Sequence, residues 1–200
     1  RRGGVGEANQ QRARFESPES DHLTLLRVFH AFLSSHKSAA FCDTNYLKFN
    51  TLIQADRVSQ QLISILQRKE IPLSSKFAVE TVGGDVSGGS AAIRRALLEG
   101  YFTQVAYLPT GGDRYRMVKD RQTASLHASS ALCKSRPTWI LYDRLEIQSK
   151  DGCFIRTATA IQPEWLLDVH DEFFDPSEIQ DGEIAHQLRT LAVQRGRQSL

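Results

Sequence analysis

The sequence predicts an α+β chain in which a helical bundle is followed by a small, five-stranded β-barrel. Three observations lead there. Up to about residue 100, apolar residues recur at helical spacing. Beyond that point, short β-rich runs alternate with turn dipeptides. The two textures do not interleave, so they read as segregated modules rather than as repeated β-α-β units.

Residues 1–20 are polar, helix-compatible from Gln10 to Phe15 and ended by Pro18, and they read as a linker. Ser20 or Asp21 is placed to cap a first main helix with Leu23, Leu26, Phe29, Phe32 and Leu33 on one stripe. A short helix is expected over Phe41 to Leu47. A longer one is expected from about Asn50 to Arg68, with Leu52, Ala55, Val58, Leu62, Ile65 and Leu66 on its core side. Gly83, Gly84, Gly88 and Gly89, with Ser87 and Ser90, predict a flexible loop. A last helix then runs from Ala91 to Glu99, with Gly100 as its C-cap. This gives a helical module over 21–100.

Five strands are expected next, in a module over 101–175: Thr103–Leu108, Tyr115–Lys119, Thr123–His127, Thr138–Ile147 and Cys153–Ile161. Gly111-Gly112, Lys119-Asp120 and Asp151-Gly152 punctuate them, the last being the strongest hairpin signal. So many short strands in so little chain point to a closed barrel. Pro163 suits the first turn of a helix through Trp165. Residues 176–200 are polar and read as a C-terminal helix with a loose end.

Composition narrows the function. The net charge of +2 gives no strong basic field, so any nucleic-acid contact must come from local patches. Cys42, Cys133 and Cys153 are far apart and fit no zinc spacing, and they read as buried, reduced thiols of a cytosolic or nuclear protein. No apolar run approaches the ~18 residues of a membrane span, and no membrane partner is expected. The Arg1-Arg2-Gly3-Gly4 start lacks methionine and is expected to be a cut from a longer chain. Catalytic motifs are missing. Gly83 to Ser90 has glycines at phosphate-loop spacing, but Gly89 stands where the lysine must be. There is no acidic box, GxSxG or HExxH. Of six scattered histidines, His22 and His127 are assigned structural hydrogen bonds. Trp139, Tyr142, Trp165, Phe102 and Phe154 are assigned to packing, and Arg94 and Arg95 to solvent.

Nine blocks, in order over about residues 11–175, resemble the C-terminal region of DEAH-box RNA helicases. Ala13-Arg14-Phe15 through Asp21-His22-Leu23-Thr24-Leu25-Leu26 resembles the family's "ARF-x-x-P-x-G-DHLTLL". Phe41-Cys42 with Asn45-Tyr46-Leu47, Ala55 to Leu62, and Ile93 to Ala106 resemble "WC…(N/H)(Y/F)L", "ADN(I/V)R-x-QL" and "I-(R/L)-KAL-x-x-G-(Y/F)-F-x-QVA". Val118 to Gln122 and Leu126 to Leu132 resemble "VKDNQ" and "(I/L)HPS(S/T)-x-L". Pro137 to Tyr142, Ile155 to Thr159 and Pro163 to Leu166 complete the set, and the combination of Val118-Lys119-Asp120-x-Gln122, Ile155-Arg156-Thr157-x-Thr159 and Pro163-Glu164-Trp165-Leu166 is most similar to the lariat-release, spliceosome-disassembly and ribosome-biogenesis type. Phe41 replaces the family's tryptophan, Ser59 its arginine and Ala128 its proline.

The resemblance implies a ratchet bundle followed by an OB-fold that guides single-stranded RNA. It implies RNA contacts at Lys150 and Arg156, which flank the Asp151-Gly152 turn, at Lys119 and Arg121, and at Arg57 on the ratchet helix. The competing reading of these cations is solvated surface charge or, for Arg156, an ion pair. ATP and Mg²⁺ would belong to motor domains of the parent, leaving no cofactor, metal or catalytic residue on this chain, which alone should hydrolyse no ATP. Expected partners are the motor and winged-helix domains and a G-patch activator. The expected location is the nucleus, nucleoplasm or nucleolus, with the cytoplasm second. The alternative is a motor-less OB-fold module that binds nucleic acid or serves as a protein scaffold.

Overall fold

A computed structural model describes residues 4–72, 87–148, 152–170, 172–179 and 181–198. The chain forms two compact units: Arg1–Glu16 with Leu23–Gly89, and Ser17–His22 with Ser90–Leu200.

The first unit is helical: α1 (Gly4–Ala13), α2 (Asp21–Ser34), α3 (Ala39–Thr44) and α4 (Phe49–Arg68). The α2 stripe buries Leu23, Ala31 and Phe32. Its end is closed by two successive left-handed residues, His36 and Lys37 (φ 55° and 56°), with the Lys37 amide bonded back to the Phe32 carbonyl at 3.1 Å. Ser38 caps α3 by accepting the Phe41 amide at 3.3 Å, and Cys42 is fully buried. The structure corrects the expected orientation of α4. Its buried residue is Asp56, held by the Lys37 ammonium at 2.6 Å, whereas Val58, Leu62 and Ile65 from the predicted core stripe face solvent. The inward side also carries Leu52, Ile63 and Leu66, each half-buried, and Lys37 keeps the buried Asp56 carboxylate paired there, as a buried charge requires.

The second unit takes in most of α5 (Ser87–Tyr101), from Ser90 onward. Gly88, Gly89 and Ser90, expected in a loop, are helical, and so is Gly100, expected as a cap; Gly83 and Gly84 lie outside the described residues. The Ser90 hydroxyl donates to Glu19 at 3.1 Å, which gives this early start a partner.

Among the described residues the five expected strands are seven: β1 (Val105–Tyr107), β2 (Tyr115–Met117), β3 (Thr123–Leu126), β4 (Trp139–Tyr142), β5 (Leu145–Gln148), β6 (Gly152–Ile155) and β7 (Ala158–Ala160), with a 3₁₀ turn at Ala131–Cys133. The extra strands arise because two long runs each bend. β4 pairs β7 through Tyr142↔Ala158 and β5 pairs β6 through Leu145↔Ile155, so one antiparallel register passes the bend without slip. The Asp143 amide holds the bend by donating to the Thr157 carbonyl at 3.0 Å. The sheet order is β5-β6-β3-β2-β1-β4-β7, with β3 and β6 parallel. Because β4 continues into β5 and β6 into β7, the ribbon returns on itself as a closed barrel. A strand that serves two walls of so small a barrel has to bend.

Alternation then fixes the two cores. Ala106, Tyr115, Met117, Ala124, Ile140 and Ile155 fill the barrel. Val105, Tyr107, Trp139 and Leu141 point the other way and pack with Trp165 and Leu166 of α6 (Glu164–Val169), Phe174, and Ile184 and Leu188 of α7 (Gly182–Gln198). β1 and β4 are therefore buried on both faces, as a continuous apolar run requires. The polar end of the sequence is thus part of this core, since Ile184 and Leu188 are fully buried.

Ser17–His22 is built into the barrel. The Ala160 amide donates to the Glu19 carbonyl at 2.8 Å, and Ser20 bridges Thr159. Asp21 does not act as the expected simple cap. Its carboxylate accepts from the Ser130 hydroxyl (2.6 Å), the Ala131 amide (2.8 Å) and the Ala158 amide (3.0 Å).

Candidate nucleic-acid interface

The outer wall of β2, β3, β5 and β6 is set by the same alternation. With Tyr115 and Met117 turned inward, Arg114 and Arg116 turn outward. Register places Arg116 opposite Thr123 and Ser125 beside Phe154. Phe154, expected in the core, is only half-buried and stands edge-on to His127 at 6.2 Å. The His127 ring accepts the Ser129 amide at 3.1 Å, the structural bond expected of it; His22 likewise bonds the Thr159 hydroxyl at 2.8 Å. Burial, opposed by Asp143 and Asp21, lowers the His22 pKa, so this imidazole favours its neutral form.

Arg156 lies at the end of β6, and its guanidinium donates to Glu146 on β5 at 2.7 Å. Its charge is partly neutralised, though both side chains remain accessible. Lys150 lies outside the described residues. Arg114 was missed by the sequence reading: it donates to the Thr123 carbonyl at 3.0 Å and reaches the Gly152 end of the hairpin. The signal was available, since Arg114 and Arg116 alternate with two buried residues.

Lys119 and Arg121 share the β2–β3 turn and are exposed. They line a cavity of about 230 Å³ with Phe173, Ile179 and three carboxylates, Asp120, Glu178 and Asp181. This second cationic group is therefore a mixed-charge site. Asp181 caps α7 and receives Arg116 at 3.1 Å. Burial pushes its carboxyl upward, but the Ile184 amide, Arg116 and the Glu183 amide outweigh that and hold it below the ordinary carboxylate range. Arg116 and Asp181 thus join α7 to the barrel, as does Glu183, which accepts from the Tyr107 hydroxyl at 3.0 Å. Arg57 is exposed on α4 and belongs to the helical unit.

Arg94, expected in solvent, is buried. It lies 5.4 Å over the Trp165 ring, donates to the Ala160 carbonyl at 3.2 Å and faces Glu19 at 3.5 Å. Arg95 pairs with Asp168 at 2.7 Å and stays half-exposed.

A family model described as an oligonucleotide/oligosaccharide-binding (OB)-fold matches residues 93–172. The match spans the last part of α5, all seven strands and α6. Residues 93–172 are thus similar to an OB-fold domain. Cations at the edge of an outward aromatic suit a single strand, whose phosphates need positive charge and whose bases stack on rings.

Proposed function

We propose that this chain is the RNA-guiding accessory region of an ATP-dependent DEAH-box RNA helicase, with the helical unit as its ratchet. The observation that carries the reading is the closed OB barrel with Arg114, Arg156 and the Phe154–His127 pair on one outer wall. The ordered helicase-like blocks on both sides of it support the same reading. The motor domains of the parent supply ATP hydrolysis, and this chain holds the strand between their steps. The finer assignment is to spliceosome disassembly, with ribosome biogenesis as a second task, in the nucleus and under a G-patch activator. It rests on the combination of the Val118 to Gln122, Ile155 to Thr159 and Pro163 to Leu166 blocks.

The Arg156–Glu146 pair favours one competing reading, a protein scaffold without RNA contact, because it lowers the charge available to phosphate. RNA titration separates the two. The chain is expected to bind a labelled single-stranded RNA weakly, with affinity falling as salt rises. Lys150→Glu and Arg156→Glu should each lower that affinity about tenfold at low salt. Absence of binding at low salt, or binding unchanged by both variants, would overturn the RNA-guiding role.

A further inference from the structure

Helix α4 half-buries Leu52, Ile53, Ile63 and Leu66 on one side and turns a second apolar line to water. Val58, Leu62 and Ile65 recur at i, i+4 and i+7 and are 43%, 55% and 40% exposed. The helix is not free to roll and hide them. Asp56, about 160° round the helix from the centre of that line, is buried and bonded to Lys37. Phe49 stands edge-on to Phe32 at 6.1 Å. A surface helix normally buries its apolar stripe, and a contiguous exposed stripe marks an interaction site.

The charges beside the line decide what would cover it. Asp56 is the only carboxylate in α4, and Lys37 already neutralises it. The exposed ionic groups on the helix are Arg57 and Arg68, with Lys48 before it and Lys69 after it; Glu70 follows beyond the helix. A shallow depression bordered by Gln61, Ser64 and Arg68 runs along Ile65. A second copy would set basic face against basic face. RNA would meet the cations but leave the aliphatic line wet. An amphipathic helix with carboxylates flanking its apolar side satisfies both features.

We propose that the exposed face of α4 docks an acidic amphipathic helix of a partner protein, its apolar side on Val58, Leu62 and Ile65 and its carboxylates toward Arg57 and Arg68. This inference rests on the helical unit alone and stands apart from the RNA-guiding role of the barrel.

The test uses the whole chain and two labelled helical peptides as long as α4, one Leu/Glu and one Leu/Lys, followed by fluorescence anisotropy. The Leu/Glu peptide should bind at least about tenfold more tightly than the Leu/Lys peptide, and the preference should shrink with salt. Leu62→Glu should lower its affinity about tenfold, while helicity by circular dichroism and the fluorescence melt of Trp139 and Trp165 stay unchanged. Val58→Ala with Ile65→Ala, which adds no charge, should weaken binding in the same direction. Equal binding of both peptides, or binding indifferent to Leu62→Glu, overturns the proposal. So does a concentration-dependent dimer lost in Leu62→Glu, which gives the face to a second copy. Displacement of the peptide by single-stranded RNA also overturns it, by giving the face to nucleic acid. Arg156→Glu should leave peptide binding intact, so failure of the barrel's RNA role is read separately.

Discussion

The barrel unit and the helical unit place their buried charges differently. In the barrel unit, the Asp21 carboxylate is met by two backbone amides and a hydroxyl from chain more than a hundred residues away. In the helical unit, the Asp56 carboxylate is met by one lysine that is itself 44% exposed. The first arrangement closes a long loop and joins three segments of the fold. The second fixes one helix with Leu52, Ile63 and Leu66 turned inward, and leaves a second aliphatic line in water. A buried acid therefore acts as an organising centre only where rigid backbone donors converge on it. Where its partner is a flexible side chain, it sets rotation and little else.

Substitutions sharpen this contrast. Asp21→Ala leaves three donors buried without an acceptor, and each unsatisfied group costs about 1–3 kcal/mol. The expected loss for the barrel is about 3 kcal/mol or more, read from denaturant unfolding followed by tryptophan fluorescence. Both tryptophans of the chain, Trp139 and Trp165, lie in this unit and report on it. A loss below about 1 kcal/mol would show that the network is peripheral. Asp56→Ala should cost the helical unit less, about 1 kcal/mol, because Lys37 can return to solvent. Far-ultraviolet circular dichroism would follow it. If Asp56→Ala proved the larger of the two, the contrast would fail.

Acid should act on the barrel at a further point. Asp181 is held below its ordinary pKa, so its contribution is complete above about pH 4 and is lost as pH falls through the lowered folded value. The expected result is a barrel whose melting temperature declines below that point, with Asp181→Asn flattening the decline. A variant that keeps the full acid sensitivity would remove Asp181 as its source.

Strand positions were legible in the sequence because alternation and register constrain each other: once Tyr115 and Met117 are inside, Arg114 and Arg116 must be outside. The bends that turn five runs into seven strands were not legible, since Asp143-Arg144 and Arg156-Thr157 carry no glycine or proline and the bend is imposed by barrel closure. α7 was legible as a helix, but its seat in the core was not. Its helix is polar by composition, yet two residues, Ile184 and Leu188, one turn apart, suffice to seat it. The α4 stripe misled for the opposite reason. Periodicity finds the apolar side of a helix, but not whether this chain or another molecule covers it. Of the candidate site, the cationic turn and hairpin were proposed by resemblance. The neutralising roles of Glu146 and Asp181 depend on contacts across strands and segments that spacing alone does not reveal.

The smallest expected effect concerns the β2–β3 turn. Arg121 adopts φ 60°, its amide donating to the Met117 carbonyl at 3.1 Å. The related block reads Val-Lys-Asp-Asn-Gln, and asparagine tolerates this left-handed conformation better than arginine does. The Gln122 amide bonds the Asp120 carboxylate at 3.1 Å, which fixes the turn from the other side, so the backbone cannot relax around Arg121. Arg121→Asn should therefore stabilise the barrel by about 0.5 kcal/mol, and Arg121→Gly by somewhat less than the conformational gain alone, because glycine also loosens the unfolded chain. If the cation guides a strand, the same Arg121→Asn variant should bind single-stranded RNA more weakly with a shallower salt dependence. Gain in stability together with loss of binding would show that the arginine is kept in a strained conformation for its charge. Stability gained with binding unchanged would leave Lys119 as the sole cation of that turn with a claim on the strand.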